Sequence, residues 1–280
     1  MIGIVVSTVV KFIVKKIKQH KYECMLAASA VLILISVGTL VNTMLEYRKS
    51  EEIYIDVNDE YVDEQGADAQ EMADREDLEE SAQNEGKNWW DDVNVDVAGL
   101  SEEYPDVVGW IYFENEEISY PIMYSGDNSK YLSTAYTGKK ARAGAIFIDG
   151  ESTPDFSDPH SLIYGHNMRD LSMFGRLKYY KTDNSYYDEH QYFQVFTKDG
   201  VYRYQIFAYE EVPDSHDVFW VYGQEPEGME DMLKEIEKDS YRKTGVNPTE
   251  NDHIITLATC TSKEDKRLIV SAVRTDEHNF

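Results

Sequence analysis

An uncharged apolar run near the N-terminus constrains this chain more than any other feature. It extends over 24–45, and its 22 residues (CMLAASAVLILISVGTLVNTML) include no charged side chain. As a helix rising about 1.5 Å per residue, the run spans roughly 30 Å, the thickness of a bilayer's hydrocarbon core. A cleavable signal peptide is the competing interpretation, but its apolar region usually has only about 7–15 residues, and no clear small-x-small cleavage site follows. The run therefore predicts an uncleaved transmembrane anchor.

The charges on either side of the run predict its orientation. Residues 1–23 carry five lysines and one acid, whereas residues 46–96 carry 19 acids against four bases. Because basic flanks stay on the cytoplasmic side, we expect a cytoplasmic N-terminus and an extracytoplasmic segment 46–280. The basic flank is compatible with an interfacial helix or with an ordinary juxtamembrane segment. The net charge of −26 argues against a nucleic-acid partner, which needs a basic surface.

Composition divides the rest of the chain in two. Residues 46–87 are rich in acids and poor in aromatics, which is typical of a solvated spacer, with a short helix over 69–83 as one option. A binding tail for a basic partner is the alternative interpretation. Residues 88–280 contain frequent Tyr, Trp, Phe and Val, and we expect them to form the folded domain.

Short strand patterns dominate this domain. A helix is predicted over 97–104, and two helical inserts are predicted over 170–180 and 227–238 from apolar residues at helical spacing. The predicted strands are β-branched or aromatic and are bounded by Gly, Asp, Asn or Pro. They cover 109–113, 118–124, 143–149, 161–166, 192–197, 201–212, 253–260 and 267–273. Eight such runs favour a closed barrel or a sandwich, so the fold class is mainly β with helical inserts.

The chain has two cysteines, Cys24 and Cys260. Because Cys24 begins the apolar run, we expect no disulfide between them. An unpaired extracytoplasmic thiol is a reactive group or a pairing site for another molecule, and a buried inert cysteine is the third option. Cys260 ends a predicted strand, where a side chain is held rigidly at the rim, as a nucleophile requires. A free thiol has a pKa of about 8.5, so it needs a nearby base or cation to react as a thiolate.

Two further residues are candidates for that assistance. His166 ends another predicted strand, and Gly165 before it leaves room for close approach. Arg267 begins the last predicted strand, where a loop would bring it beside Cys260 to stabilise an oxyanion or lower the thiol pKa. A structural histidine and a solvent-exposed arginine are the alternatives, and spacing does not exclude Lys266 in place of Arg267.

Other chemistries have little support in the sequence. Two cysteines do not form a zinc cluster, and no Walker loop, dinucleotide fingerprint or G-x-S-x-G elbow is present. We therefore expect no cofactor and no metal.

Several segments resemble the sortases, transpeptidases of Gram-positive bacteria that attach proteins to the cell wall. Residues 256–260 (TLATC) resemble the TLxTC signature, residues 164–168 (YGHNM) the histidine segment, and residues 267–270 (RLIV) the arginine-led last strand. Upstream matches lie within 106–111, 120–122, 127–132 and 143–149, so the resemblance covers roughly 88–275. The separation of 94 positions between His166 and Cys260, with a helical insert between, resembles class B.

The resemblance implies an eight-stranded sortase-type β-barrel, preceded by N-terminal helices and one transmembrane helix. It implies that Cys260 attacks the Thr carbonyl of a C-terminal sorting signal, Arg267 stabilises the oxyanion and His166 transfers protons. It further implies substrate contacts at Thr259, Asn128 and Leu132, with residues 209–222 as another wall of the groove.

The partners it implies are surface proteins bearing a sorting signal and a peptidoglycan stem peptide or its lipid-linked precursor. A hydrolytic cysteine peptidase with the same Cys-His pair is one alternative. A membrane-tethered adhesin or scaffold with an inert cysteine is the other.

Overall fold

One long helix, α1, begins the part of the chain that the structure describes. The structure is a computed structural model that describes residues 20–64, 88–220, 228–261 and 265–280, without the side chain of Cys24. Helix α1 (Lys21–Tyr61) has 41 residues and is long and apolar enough, by length and composition, to cross a membrane. Its first half belongs to a compact unit ending at Arg48, and its apolar side chains there are exposed. The helix predicted over 69–83 lies outside the described residues.

The second half of α1 is part of the second compact unit, Lys49–Phe280. Tyr54 and Val57 are buried, and Tyr54 Oη donates a hydrogen bond to the carbonyl oxygen of Gly144 at 2.6 Å. Residues 49–64 therefore pack with the folded domain, although their acidic composition indicated a spacer. The many charged residues on the exposed face of the helix dominate the composition of this segment. The two apolar positions, three residues apart on the other face, were therefore not recognised as a packed face.

A small sheet and a short helix follow α1. Strand β1 (Val62–Glu64) pairs antiparallel with β2 (Val93–Val95). Helix α2 (Val97–Glu103) begins after Asp96, whose carboxylate accepts a hydrogen bond from the backbone N–H of Gly99 at 2.8 Å. This N-cap satisfies one of the free N–H groups of the first turn, so the helix starts where the sequence predicts.

Eight strands form a closed barrel, which confirms the predicted fold class. The strands are β3 (Val107–Phe113), β4 (Ser119–Met123), β5 (Ile146–Ile148), β6 (His160–Tyr164), β7 (Tyr192–Phe196), β8 (Gly200–Pro213), β9 (Ile254–Cys260) and β10 (Lys266–Asn279). Their order around the barrel is β10-β8-β7-β3-β4-β5-β6-β9. The β4–β5 and β6–β9 pairs are parallel. Strand β9 therefore lies between β6 and β10, and residues at or next to one end of each of these strands form the rim of the barrel that carries Cys260.

The helical inserts agree only partly with the sequence. Helix α3 (Tyr179–Thr182) follows a 3-10 turn (Gly175–Lys178), and α4 (Tyr186–Glu189) follows α3. The first half of the helix predicted over 170–180 is wrong, because Leu171 and Met173 adopt left-handed φ angles of 73° and 52°. A helix cannot contain such residues.

Helix α5 (Met229–Asp239) confirms the second predicted insert. Its buried side chains pack on the outer face of the barrel, against Ile254 and Ala258 of β9 among others. These side chains are Met229, Met232, Leu233 and Ile236. Full burial of such a side chain contributes about 1.5–3 kcal/mol, so the insert is firmly attached to this face.

Candidate active site

Cys260 is the last residue of β9, and its side chain is exposed. Arg267 lies directly opposite it in the antiparallel pairing with β10. Directly paired residues point to the same face of a sheet, with Cβ atoms about 5 Å apart. Lys266 precedes Arg267 in the same strand and so points to the other face. The register therefore places Arg267, and not Lys266, on the face that carries the thiol, which sequence spacing left open.

The strand that carries Cys260 presents two different faces. Ile254 and Ala258 occupy the outer face beneath α5, and Cys260 is the next position on that face beyond the helix. Thr259 points the opposite way and is 2% exposed, inside the barrel. The side chain of Thr259 therefore does not line an open groove, contrary to expectation, because neighbours in a strand alternate between faces.

His166 lies two residues beyond the end of β6, rather than at the end of the strand as the sequence suggested. In the parallel pairing of β6 with β9, Tyr164 is aligned with Ala258, and continuing this register aligns His166 with Cys260. The ring nitrogen Nε2 lies 2.7 Å from the carbonyl oxygen of Leu132. Because a carbonyl can only accept, Nε2 is the donor in this contact.

Gly165 permits the chain to turn at this point. A Cβ atom on this residue would lie 2.4 Å from Ile146 Cδ1 and 2.6 Å from Phe174 Cδ2, well inside contact distance. The backbone N–H of Gly165 still donates to the carbonyl oxygen of Ala258 at 3.2 Å. Glycine thus suits this position, because an added Cβ atom would have to displace two packed side chains on the path that leads to His166.

Asn167 is a site residue that sequence reasoning did not single out. Its side-chain Nδ2 donates to the backbone carbonyl oxygen of Cys260 at 2.8 Å. Its place directly after His166 was the only signal available, because the contact depends on how β6 and β9 are aligned. This bond shows that the histidine segment and the cysteine strand approach each other closely.

A buried carboxylate lies below the rim, at the end of β5. Asp149 accepts hydrogen bonds at Oδ2 from Asn128 Nδ2 (2.8 Å) and from Tyr164 Oη (3.0 Å). Burial and the nearby Asp149 carboxylate raise the pKa of the Tyr164 hydroxyl, while the Arg267 charge opposes the rise. The hydroxyl is therefore a neutral donor to Asp149 at any physiological pH.

The other expected substrate-contacting residues lie in different settings. The amide of Asn128 is bound at both ends, because its Oδ1 also accepts from the N–H of Gly150 at 2.7 Å. Asn128 thus ties its loop to the end of β5. Leu132 is 47% exposed beside His166, which keeps it accessible to a ligand. Tyr209 is buried, whereas Trp220 is 68% exposed, and residues 221–222 lie outside the described residues.

The rim thus combines a thiol, an imidazole and a guanidinium. Among the described residues, no group of three or more His, Cys, Asp or Glu side chains is arranged to hold a metal ion. A strand-end thiol with an imidazole just beyond one neighbouring strand and a guanidinium on the other is an arrangement that suits nucleophilic acyl transfer.

Comparisons with known proteins agree with this fold. The family model described as the sortase domain matches residues 114–275, more than half of the chain. Sortase B of Listeria monocytogenes is 36% identical over 176 residues, which cover 62% of this chain and 70% of that protein. Sortase B of Staphylococcus aureus is 27% identical over 208 residues, covering 73% and 85%. The crystal structure of Clostridium perfringens sortase B superposes with a TM-score of 0.59 at 30% identity, over 64% of this chain and 99% of that one.

These matches place the protein in the class of cysteine transpeptidases. The chain belongs to the sortase family, and the relatives named above are sortase B proteins, which confirms the class B resemblance.

Proposed function

We propose that this chain is a membrane-anchored transpeptidase that joins surface proteins to the cell wall. The substrate is a C-terminal sorting signal of NPxTN, PPxTG or LPxTG type, cleaved after Thr, and the acceptor is an amine of a peptidoglycan stem peptide or its lipid-linked precursor. The observation that carries the proposal is the pairing of exposed Cys260 with Arg267 at the end of β9. The family of the chain supports the general reaction.

The first half-reaction forms a thioester. The Cys260 thiolate attacks the Thr carbonyl carbon, and the oxygen becomes an oxyanion that the Arg267 guanidinium stabilises. The tetrahedral species collapses with cleavage of the C–N bond, and protonated His166 gives its proton to the departing amine. The products are a thioacyl group on Cys260 and the released C-terminal peptide.

The second half-reaction reverses these roles. The acceptor amine attacks the thioester carbonyl, His166 takes the proton from its nitrogen, and Cys260 leaves as the thiolate. An amide bond forms as the thioester breaks, so no oxidant or cofactor is consumed.

We assign the anchor to residues 24–45, with residues 1–23 in the cytoplasm and the catalytic domain outside. The support is the apolar first half of α1 and the charge difference across it. A single-pass enzyme held at the outer surface of the membrane is placed to meet both exported substrates and lipid-linked precursors.

The test uses the full chain in detergent with peptides of the three signal types, with and without amine acceptors, followed by intact-protein and product mass spectrometry. We expect an acyl adduct on Cys260 and an amine-dependent ligated product. Cys260→Ala is expected to lose both, because it removes the nucleophile, while Cys24→Ala retains them. Adducts released only to water would indicate a hydrolytic peptidase. Slow alkylation of native Cys260 without any adduct would indicate an inert cysteine in a tethered scaffold.

A further inference from the structure

The parallel ladder between β6 and β9 continues past the end of β6 by an unusual bond. In a parallel pair, successive rungs on one edge are two residues apart on each strand. The backbone N–H of Gly165 donates to the carbonyl oxygen of Ala258 at 3.2 Å, so the next rung would join residues 167 and 260. At that place the donor is the side-chain Nδ2 of Asn167, 2.8 Å from the carbonyl oxygen of Cys260. The side-chain amide thus takes the position of a backbone donor.

The backbone of Asn167 has a different partner. It forms an antiparallel bridge with Met173, and the N–H of Phe174 donates to the carbonyl oxygen of His166 at 3.1 Å. The N–H of Met173 in turn donates to the hydroxyl of Tyr120 on β4 at 3.1 Å. These bonds fix the segment that carries Asn167 to the barrel.

Backbone strain in this segment indicates that its shape is specified. Leu171 and Met173 hold left-handed φ angles without being glycine, and such conformations persist only where the surroundings impose them. The amide of Asn167 is therefore attached to a rigid backbone, so the group that accepts its hydrogen bond is held in place as well.

What it binds is the carbonyl group of the nucleophile itself. Along both strands, the hydrogen bond between Gly165 and Ala258 comes before His166 and Cys260. The hydrogen bond from Asn167 to the Cys260 carbonyl comes after them. The Cys260 carbonyl shares a rigid plane with the N–H of Thr261, so this single bond sets the orientation of the peptide group that follows the nucleophile.

We propose that Asn167 is a positioning residue that keeps Cys260 in register with His166 by replacing a missing rung of the ladder. The inference rests on the proposed function, because it assigns Cys260 and His166 as the reacting pair. Asn167 touches the backbone of the nucleophile rather than the substrate, so its loss changes the turnover of bound substrate more than the binding of substrate.

The test compares Asn167→Ala with Asn115→Ala in the full chain carrying Cys24→Ala. Asn115 is a matched control, since its Nδ2 also donates to a backbone carbonyl, that of Glu189 at 2.7 Å, and it is likewise exposed. We expect Asn167→Ala to lower kcat by about tenfold or more with KM changed by less than about twofold, because small misplacements of reacting groups are costly. We expect Asn115→Ala to change neither constant. Asn167→Gln, which keeps the amide, is expected to recover part of kcat.

A second measurement reads the thiol without any sorting signal. Asn167→Asp exchanges the amide donor for a carboxylate beside Cys260, and a nearby negative charge disfavours the thiolate. We expect the pH midpoint for alkylation of Cys260 by iodoacetamide to move upward in Asn167→Asp and to stay unchanged in Asn115→Asp. This measurement remains informative if no peptide acylates the wild-type protein, which would contradict the proposed function alone.

Two results would overturn the positioning role. One is a kcat for Asn167→Ala equal to that of Asn115→Ala at equal thermal stability. The other is a midpoint for alkylation of Asn167→Asp that coincides with the wild-type value.

Discussion

Cys260 and Arg267 are direct partners in the pairing of β9 with β10. Only six residues separate Cys260 from Arg267 in the sequence, and the pairing places the guanidinium on the same face as the thiol. Because both side chains are held by strands, their relation is set by the barrel rather than by the loop.

Arg267→Lys tests whether the planar guanidinium is required. A lysine keeps the charge but cannot present the forked donors, so we expect kcat/KM for acyl transfer to fall by about 10²–10³. Adduct formation on Cys260, followed by mass spectrometry over time, measures the effect. Lys266→Met is the matched control, because Lys266 points to the other face, and it is expected to stay within about twofold of wild type. Near-normal rates for Arg267→Lys would show that Arg267 has a structural role.

Gly165→Ala tests the packing that leads the chain to His166. The added methyl group meets Ile146 and Phe174, so we expect a loss of about 1–3 kcal/mol in the free energy of unfolding and a reduced rate of acylation. Denaturant unfolding measures the loss. Ile146→Val removes the nearer of the two obstructing atoms, and the double variant is expected to be less destabilised than the sum of the single ones. Simple additivity would contradict this account of Gly165.

The sequence predicts the barrel well and its rim less well, for physical reasons. Each strand run is local, with β-branched or aromatic residues between turn formers, so all eight strands could be found. The Asn167–Cys260 bond depends on the alignment of segments 93 positions apart, and local pattern has no access to that alignment. Thr259 is a different case, since alternation along β9 already places it opposite Cys260.

The second half of α1 was not predicted to pack with the domain, because its many acidic residues indicated a spacer and masked the helical spacing of its few apolar residues. Val57→Ala is expected to lower the free energy of unfolding by about 2 kcal/mol, as Val57 is 1% exposed within the domain. Ile55→Ala is the control on the same helix, where the side chain is 50% exposed, and we expect a change below about 0.5 kcal/mol. Equal effects in chemical denaturation would mean that α1 does not pack on the barrel through Val57.

The carboxyl group of Glu210 makes the stability of the folded domain depend on pH. It is buried on β8, and burial, reinforced by Asp239 and Glu235 and opposed by Lys243, raises the pKa of its carboxyl to about 7. Between pH 4.5 and 7 the folded state therefore binds more protons than the unfolded state, so this residue lowers stability as the pH rises through that window.

Glu210→Gln removes this penalty. We expect the variant to be more stable than wild type by about 1–2 kcal/mol at pH 8, with the difference vanishing near pH 5. Asp231→Asn is the control, because Asp231 is an exposed carboxylate on α5. Thermal unfolding between pH 5 and 8 measures the trend, and a difference that is constant over this range would contradict the buried-carboxyl explanation.

The place of β9 in the barrel has a consequence for when the thiol becomes reactive. Strand β9 is adjacent to β6 on one side and to β10 on the other, and the histidine and the arginine belong to those two neighbours. A partly folded chain in which β9 is not yet inserted has its cysteine far from both assisting groups. Under the proposed mechanism, the thiol becomes reactive only when the barrel closes, so a chain that has not finished folding is protected from premature acylation of Cys260.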